Sequence, residues 1–228
     1  MNEKQLAAER SVDFIEDGMT VGLGTGSTVN YMIDALAQKV KKGLKIKAVA
    51  TSKLTFQLAA SSGIEVVDLE LADKIDLTID GADEVDPQLN GIKGGGAALL
   101  YEKIVASNSA KNIWIVDSSK LVKKLGRFPL PVEVIPYGSN LLFNKFEKKK
   151  FKPAFRKFEG SNFITDGGHF LIDLNLEKID DPAGLEEELK TYTGVVEVGL
   201  FVSIADMVIV GGGNGIRIIE RTDRQANK

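Results

Sequence analysis

Cysteine is absent from all 228 residues, which excludes disulfides, thiolate metal sites and cysteine nucleophiles. Histidine occurs once, at His169, and there it opens an apolar strand just after a turn. Packing or a surface place accounts for such a residue more simply than catalysis does. With no histidine cluster, a catalytic metal would have to rest on Asp80 and Asp83 alone. Two carboxylates are too few for zinc and would hold Mg²⁺ only loosely, so no metal site is expected. No hydrophobic run approaches a membrane span, and the opening residues MNEKQLAAERSVDF lack the apolar core of a secretion signal. A soluble, cytoplasmic protein without membrane contacts is the expectation. An excess of one charge is also missing: 29 Lys and Arg stand against 32 Asp and Glu, for a net charge of −3. That balance lacks a nucleic-acid footprint, and the short run Lys148, Lys149, Lys150 reads as a solvated helix end.

What is present is 43% hydrophobic residues, enough for one large domain with or without a small companion. Residues 3–17 form an amphipathic pattern with Ala8, Val12 and Ile15 on one face, stopped at Gly18. Short β-branched runs at 19–23, 46–50, 64–69, 75–79 and 112–116 alternate with helical stretches ending near Val40 and Ser61. The helix carrying Glu102 is expected to start near Ala97. This alternation predicts an α/β domain, a parallel sheet covered on both faces. The character changes at Arg127-Phe-Pro-Leu-Pro131. A strand at 132–135, a helix over 137–150, a hairpin through 163–174, a helix capped by Asp181-Pro182 and a strand at 195–201 predict a small α+β unit. The hairpin 207–220, with its turn Gly211-Gly-Gly-Asn-Gly215, is expected to rejoin the first domain. The domains are therefore expected at 1–127 plus 203–228 and at 128–202. The polar tail from Thr222 onward is expected to fray.

The stretch DLTIDGADEVDPQLNGIKGGGAALLYEKIVAS, residues 76–107, concentrates the chemistry. A buried strand ends in Asp80-Gly-Ala-Asp83, and Lys93 precedes three glycines and the helix of Glu102. In open parallel sheets, ligands bind beyond the carboxyl ends of the strands, so Asp80, Asp83, Lys93 and Glu102 are candidates for one crevice. On that helix the neighbours of Glu102 three and four positions away are Ala98, Leu99, Val105 and Ala106, all apolar. Glu102 is therefore expected to point into the packed face, where a carboxyl is tuned as a base near neutrality. Lys103 is expected on the wetter side.

A second feature is the glycine and hydroxyl loop Gly24-Thr25-Gly26-Ser27-Thr28 between a strand and a helix. Backbone N–H groups and the positive helix end suit an anion there. Gly22 and Gly24 begin a dinucleotide fingerprint, but Ser27 stands at its third glycine position and no acidic residue follows near 42–45. A small phosphate fits better than a nucleotide. Asp117-Ser-Ser-Lys120 again places polar residues at a strand end, with Lys120 in reach of a phosphate.

These residues together resemble the type A ribose-5-phosphate isomerases. GLGTGST at 22–28, DGADE at 80–84, KGGGAALLYEKIVA at 93–106, DSSK at 117–120, GRFPLPVEVIP at 126–136 and GVVEVGLF at 194–201 carry the resemblance over nearly the whole chain. It implies a Rossmann-like parallel-sheet domain with a smaller inserted α+β, ferredoxin-like domain. It also implies a homodimer or dimer of dimers, no cofactor, and a small phosphosugar substrate. The implied reaction interconverts ribose 5-phosphate and ribulose 5-phosphate. By resemblance, Glu102 is the proton-transferring base, Asp80 serves ring opening and hydroxyl protons, and Asp83 and Lys93 polarise the substrate. Thr25, Gly26, Ser27, Thr28, Gly81, Ala82, Gly94, Gly95, Gly96 and Lys120 match substrate-binding positions, and Lys4 a phosphate-binding lysine. Tyr101, where a basic residue can stand, and the glycine-rich turn 211–215 depart from the pattern. Two other readings compete: a non-catalytic sugar-phosphate-sensing domain, and an acyl transferase using Glu102 as a nucleophile.

Overall fold

The computed structural model describes residues 2–222, so the tail expected to fray lies, but for Thr222, outside the described residues. The chain packs into two compact units, Met1–Ala82 with Tyr101–Leu121 and Ser203–Lys228, and Asp83–Leu100 with Val122–Val202.

The first unit is built on a six-stranded sheet. Its order is Gly215–Glu220, Met207–Gly212, Asn112–Asp117, Leu77–Asp80, Thr20–Leu23, Lys47–Ala50. Five of these strands run parallel, and only the hairpin of the first two is antiparallel. Side chains alternate across each strand. Val21, Leu23, Leu77 and Ile79 pack on one face with the helices Glu3–Ser11 and Ser27–Lys41. Gly22 and Thr78 face the other side, towards Val105 of the helix Leu99–Ser107. There Val105 clusters with Val49 and Ile75. From Thr20–Leu23 the chain steps outward to Lys47–Ala50, then returns to the opposite flank as Leu77–Asp80. The order reverses at that point, and the loops leave the carboxyl ends of the two neighbouring strands where open parallel sheets take their ligands.

The second unit follows a β-α-β-β-α-β path. Its antiparallel sheet has the order Val195–Val198, Leu130–Val134, Phe170–Leu174, Pro153–Phe155, with helices Ser139–Lys148 and Pro182–Lys190 as the two α elements. This is the ferredoxin-like arrangement. Its core joins Leu130, Val132, Phe146, Leu174 and Leu189 to Ile92 and Leu125. Here the structure departs from the division at residue 127. Gly91–Ile92 pairs with Leu200–Phe201 and with Glu84–Val85, which ties 83–100 to the second unit. The buried carboxylate of Glu84 accepts hydrogen bonds from the backbone N–H of Gly126 (2.8 Å) and Phe128 (2.7 Å), and this draws 122–127 in as well.

Several local expectations change for physical reasons. Residues 64–69 form no strand but one bridge, Val66 to Ala48, followed by a 3-10 turn at Leu69–Leu71. The first helix ends at Ser11 and continues as a 3-10 turn, Val12–Phe14. The helix of Glu102 starts at Leu99 because Ala97, at φ 61°, is left-handed. Of the hairpin through 163–174 only the turn forms, with the Thr165 N–H donating to the His169 carbonyl at 2.9 Å, while Phe170–Leu174 pairs with Leu130–Val134 and Pro153–Phe155 instead. The buried Glu133 draws the preceding turn inward, accepting from Thr165 Oγ1 at 2.8 Å with His169 Nδ1 at 3.0 Å. His169 thus has a packing role. The strand at 195–201 breaks at Gly199, where a Cβ would stand 2.5 Å from the Lys93 carbonyl oxygen.

Candidate active site

Glycines at the carboxyl ends of the first unit's strands make room for side chains that would otherwise clash. A Cβ on Gly24 would lie 1.9 Å from Asp80 Oδ1, so only glycine lets this carboxylate stand beside the loop. Asp80 is 2% exposed, and its Oδ1 accepts from the N–H of Thr25 (3.1 Å) and of Gly81 (2.7 Å). These bonds fix Asp80 across the reversal point. A Cβ on Gly22 would stand 2.0 Å from Thr78 Oγ1 and 2.8 Å from Val105 Cγ1. Gly22 therefore lets the helix Leu99–Ser107 close on the sheet. The strand and its return helix run in opposite directions in a parallel sheet, so the first turn of that helix, with Glu102, lies at the carboxyl end of the strands. Glu102 is 2% exposed, as the apolar spacing requires. Lys103, expected on the wetter side, is also buried, and the exposed positions of the helix are Ile104 and Ser107. Leucine- and valine-rich spacing located the packed face but not its width.

At the start of Ser27–Lys41, Gly26 at φ 125° turns the loop into the helix. The Lys4 ammonium donates to Ser27 Oγ at 2.9 Å, which brings the N-terminal helix to this cradle. A lysine beside a helix N-terminus adds positive charge to a positive helix end, an arrangement that an anion relieves. Thr28 is nearly buried, whereas Ser27 is exposed. The Thr25 hydroxyl lies within 2.8 Å of Thr51 Oγ1 and 2.9 Å of Ser52 Oγ, so it braces the loop from inside. Lys120 closes the short turn Ser118–Lys120 at the carboxyl end of Asn112–Asp117. That turn is held by Glu3, whose Oε2 accepts from Ser118 N (3.1 Å) and Oγ (2.7 Å). A Cβ on Gly211 would lie 1.9 Å from the Glu3 carbonyl oxygen, which explains one glycine of the run 211–215.

The second unit holds Asp83, Lys93 and Gly94, Gly95 and Gly96. Asp83 Oδ2 accepts from Gly95 N–H at 2.7 Å. Lys93 is 3% exposed, with its Nζ 5.3 Å from the centroid of the Phe201 ring. Gly95 and Gly96 are exposed, and Gly94 is buried against Leu99 and Pro131. Arg156, which no sequence pattern marked, donates to the Gly94 carbonyl oxygen at 2.6 Å. Among the described residues, no group of three or more His, Cys, Asp or Glu side chains could hold a metal ion. None of the described helices is long and apolar enough to cross a membrane.

Residues 47–215 match the family model described as ribose 5-phosphate isomerase A (phosphoriboisomerase A). The chain belongs to the ribose 5-phosphate isomerase A family. A ribose-5-phosphate isomerase A of Enterococcus faecalis is 53% identical over 217 residues, covering 94% of this chain and 96% of that one. One of Streptococcus thermophilus is 51% identical over 222 residues, covering 96% and 98%. Among solved structures, a D-ribose-5-phosphate isomerase in complex with phospho-erythronic acid superposes with a TM-score of 0.93 at 43% identity, covering 97% of this chain and all of that one. Ribose 5-phosphate isomerase A from Neisseria gonorrhoeae gives a TM-score of 0.89 at 41% identity, covering 96% of each. Membership in a ribose 5-phosphate isomerase A family disfavours both the sensing domain and the acyl transferase.

Proposed function

We propose that Glu102 carries the proton in the interconversion of ribose 5-phosphate and ribulose 5-phosphate, the reaction this chain performs as a ribose 5-phosphate isomerase A. The base takes the proton from carbon 2 of the opened aldose, an enediolate forms, and the proton returns to carbon 1. Asp80 handles the hydroxyl protons of ring opening, for which its two backbone donors hold it in one orientation. Lys93, with Asp83, polarises the substrate and meets the oxyanion as it develops. Thr25, Gly26, Ser27, Thr28, Lys4 and Lys120 grip the phosphate end, and Gly81, Ala82, Gly94, Gly95 and Gly96 offer backbone groups to the sugar. The phosphate grip orients the reacting carbons, so binding energy far from the chemistry lowers the barrier. Phospho-erythronic acid, bound by the relative, pairs a phosphate with a planar anionic carboxylate, the features an enediolate would present. The proposal includes a cytoplasmic homodimer or dimer of dimers, with the residues 128–202 in the oligomer contact.

The observation that carries the reading is the burial of Glu102 in the first turn of its helix. Isomerisation in heavy water tests it. A base that exchanges with solvent before it returns the proton leaves deuterium on carbon 1 of ribulose 5-phosphate, and that label is expected. A product formed with no label at all would point to a hydride shift or to a base fully shielded from water.

The cradle makes a separate prediction. Ser27→Ala with Thr28→Ala removes two donors and the acceptor of Lys4, so KM should rise and kcat fall together. Unchanged kinetics in the double variant would place the phosphate elsewhere.

A further inference from the structure

We propose that Arg156 is a positioning residue for the isomerisation: by holding the carbonyls of Gly94 and Gly95 it aims the backbone N–H of Gly96, and the Lys93 side chain before it, at the reacting sugar. This rests on the substrate-binding role given above to the Lys93 loop.

Three consecutive glycines have no side chains to hold one conformation, and Gly94 sits at φ 106°. Such a loop is ordered by what grips its backbone, and here two side chains do, beside the Ala97 N–H that donates to the Gly94 carbonyl oxygen at 3.0 Å. Asp83 takes the Gly95 N–H, and Arg156 Nη1 donates to the carbonyl oxygens of Gly94 (2.6 Å) and Gly95 (3.3 Å). A trans peptide sets its C=O and the following N–H in opposite directions. With the Gly94 carbonyl on Arg156, the Gly95 N–H must point away from it, and that is where Asp83 stands. By the same geometry the Gly95 carbonyl on Arg156 turns the Gly96 N–H away from the guanidinium, on an exposed glycine.

The guanidinium is itself fixed. Nε donates to Asp173 Oδ2 at 3.0 Å and Nη2 to Asp173 Oδ1, a two-point fork on a mostly buried pair. The Arg156 N–H donates to the Leu171 carbonyl and its own carbonyl accepts from Phe163 N–H, both at 2.9 Å. Only a planar fork can bind one carboxylate with one edge and two carbonyls with the other, so lysine is no substitute.

The test compares Arg156→Lys, Arg156→Ala and Lys93→Met with the native chain, each checked for folding by circular dichroism. Arg156→Lys is expected to lower kcat about ten- to a hundredfold, as small misplacements of reacting groups do, with KM changing far less. Guanidinium ion at low millimolar concentration should restore part of kcat in Arg156→Ala. Native kcat in Arg156→Lys beside a crippled Lys93→Met would overturn the proposal and leave the loop's role intact. Native kcat in both would instead overturn the loop's role. Loss of kcat, KM and melting temperature together, without guanidinium rescue, would make Arg156 a structural brace only. If Arg156→Ala fails to fold, the kcat and KM of Arg156→Lys decide.

Discussion

Glutamine in place of Glu102 is expected to lower kcat by about a hundred- to ten-thousandfold, the usual contribution of general-base catalysis. At roughly 1.4 kcal/mol per factor of ten, that is about 3 to 5 kcal/mol of barrier. Glutamine keeps the length and the hydrogen-bonding reach of the side chain but cannot accept the proton from carbon 2. KM should move little, because the proposed phosphate grip, the loop and helix end at 25–28, lies on other elements than the helix of Glu102. The fold should survive, since the buried position accepts a neutral group of the same shape. The variant should also lose deuterium exchange in proportion to its loss of turnover. A folded Glu102→Gln that keeps most of its kcat would move the role of base to Asp80 or Asp83.

Lys93→Met is expected to reduce kcat by about a hundred- to a thousandfold, the loss seen when one donor to a developing oxyanion is removed. Lys93 is 3% exposed and its ammonium lies over the Phe201 ring, so little water would screen its charge. Its charge matters most when the enediolate carries its full negative charge, so kcat should fall more than KM rises. Methionine fills the same straight volume, which separates loss of charge from loss of packing. If KM rises while kcat holds, Lys93 acts in binding rather than on the oxyanion.

Much of this protein was legible before any coordinates. The five parallel strands of the first sheet lie within two residues of the hydrophobic runs that mark them, because buried parallel strands are continuous β-branched runs with polar ends. The helix cap at Asp181 and the burial of Glu102 follow from local spacing in the same way. Helix and strand periodicity register what each residue must face, and that information is local.

Tertiary structure decided what depends on partners distant in sequence. Gly22 and Gly24 look in sequence like the start of a nucleotide loop, yet one admits Val105 and the other admits the Asp80 carboxylate. Lys4 reaches Ser27, 23 positions away, from a helix whose placement rests on Gly211 lying against Glu3. The stretch 83–100 packs with the second unit because Gly91–Ile92 finds its sheet partner at Leu200–Phe201. Arg156 meets Gly94 across 62 positions, and nothing in the spacing of either residue marks it. Sequence by itself therefore determined most of the parallel strands and the burial of Glu102, since periodicity and turn chemistry act over a few residues. The packing alone decided which glycines serve carboxylates and which cation holds the loop, because those contacts exist only once distant backbones have closed on one another.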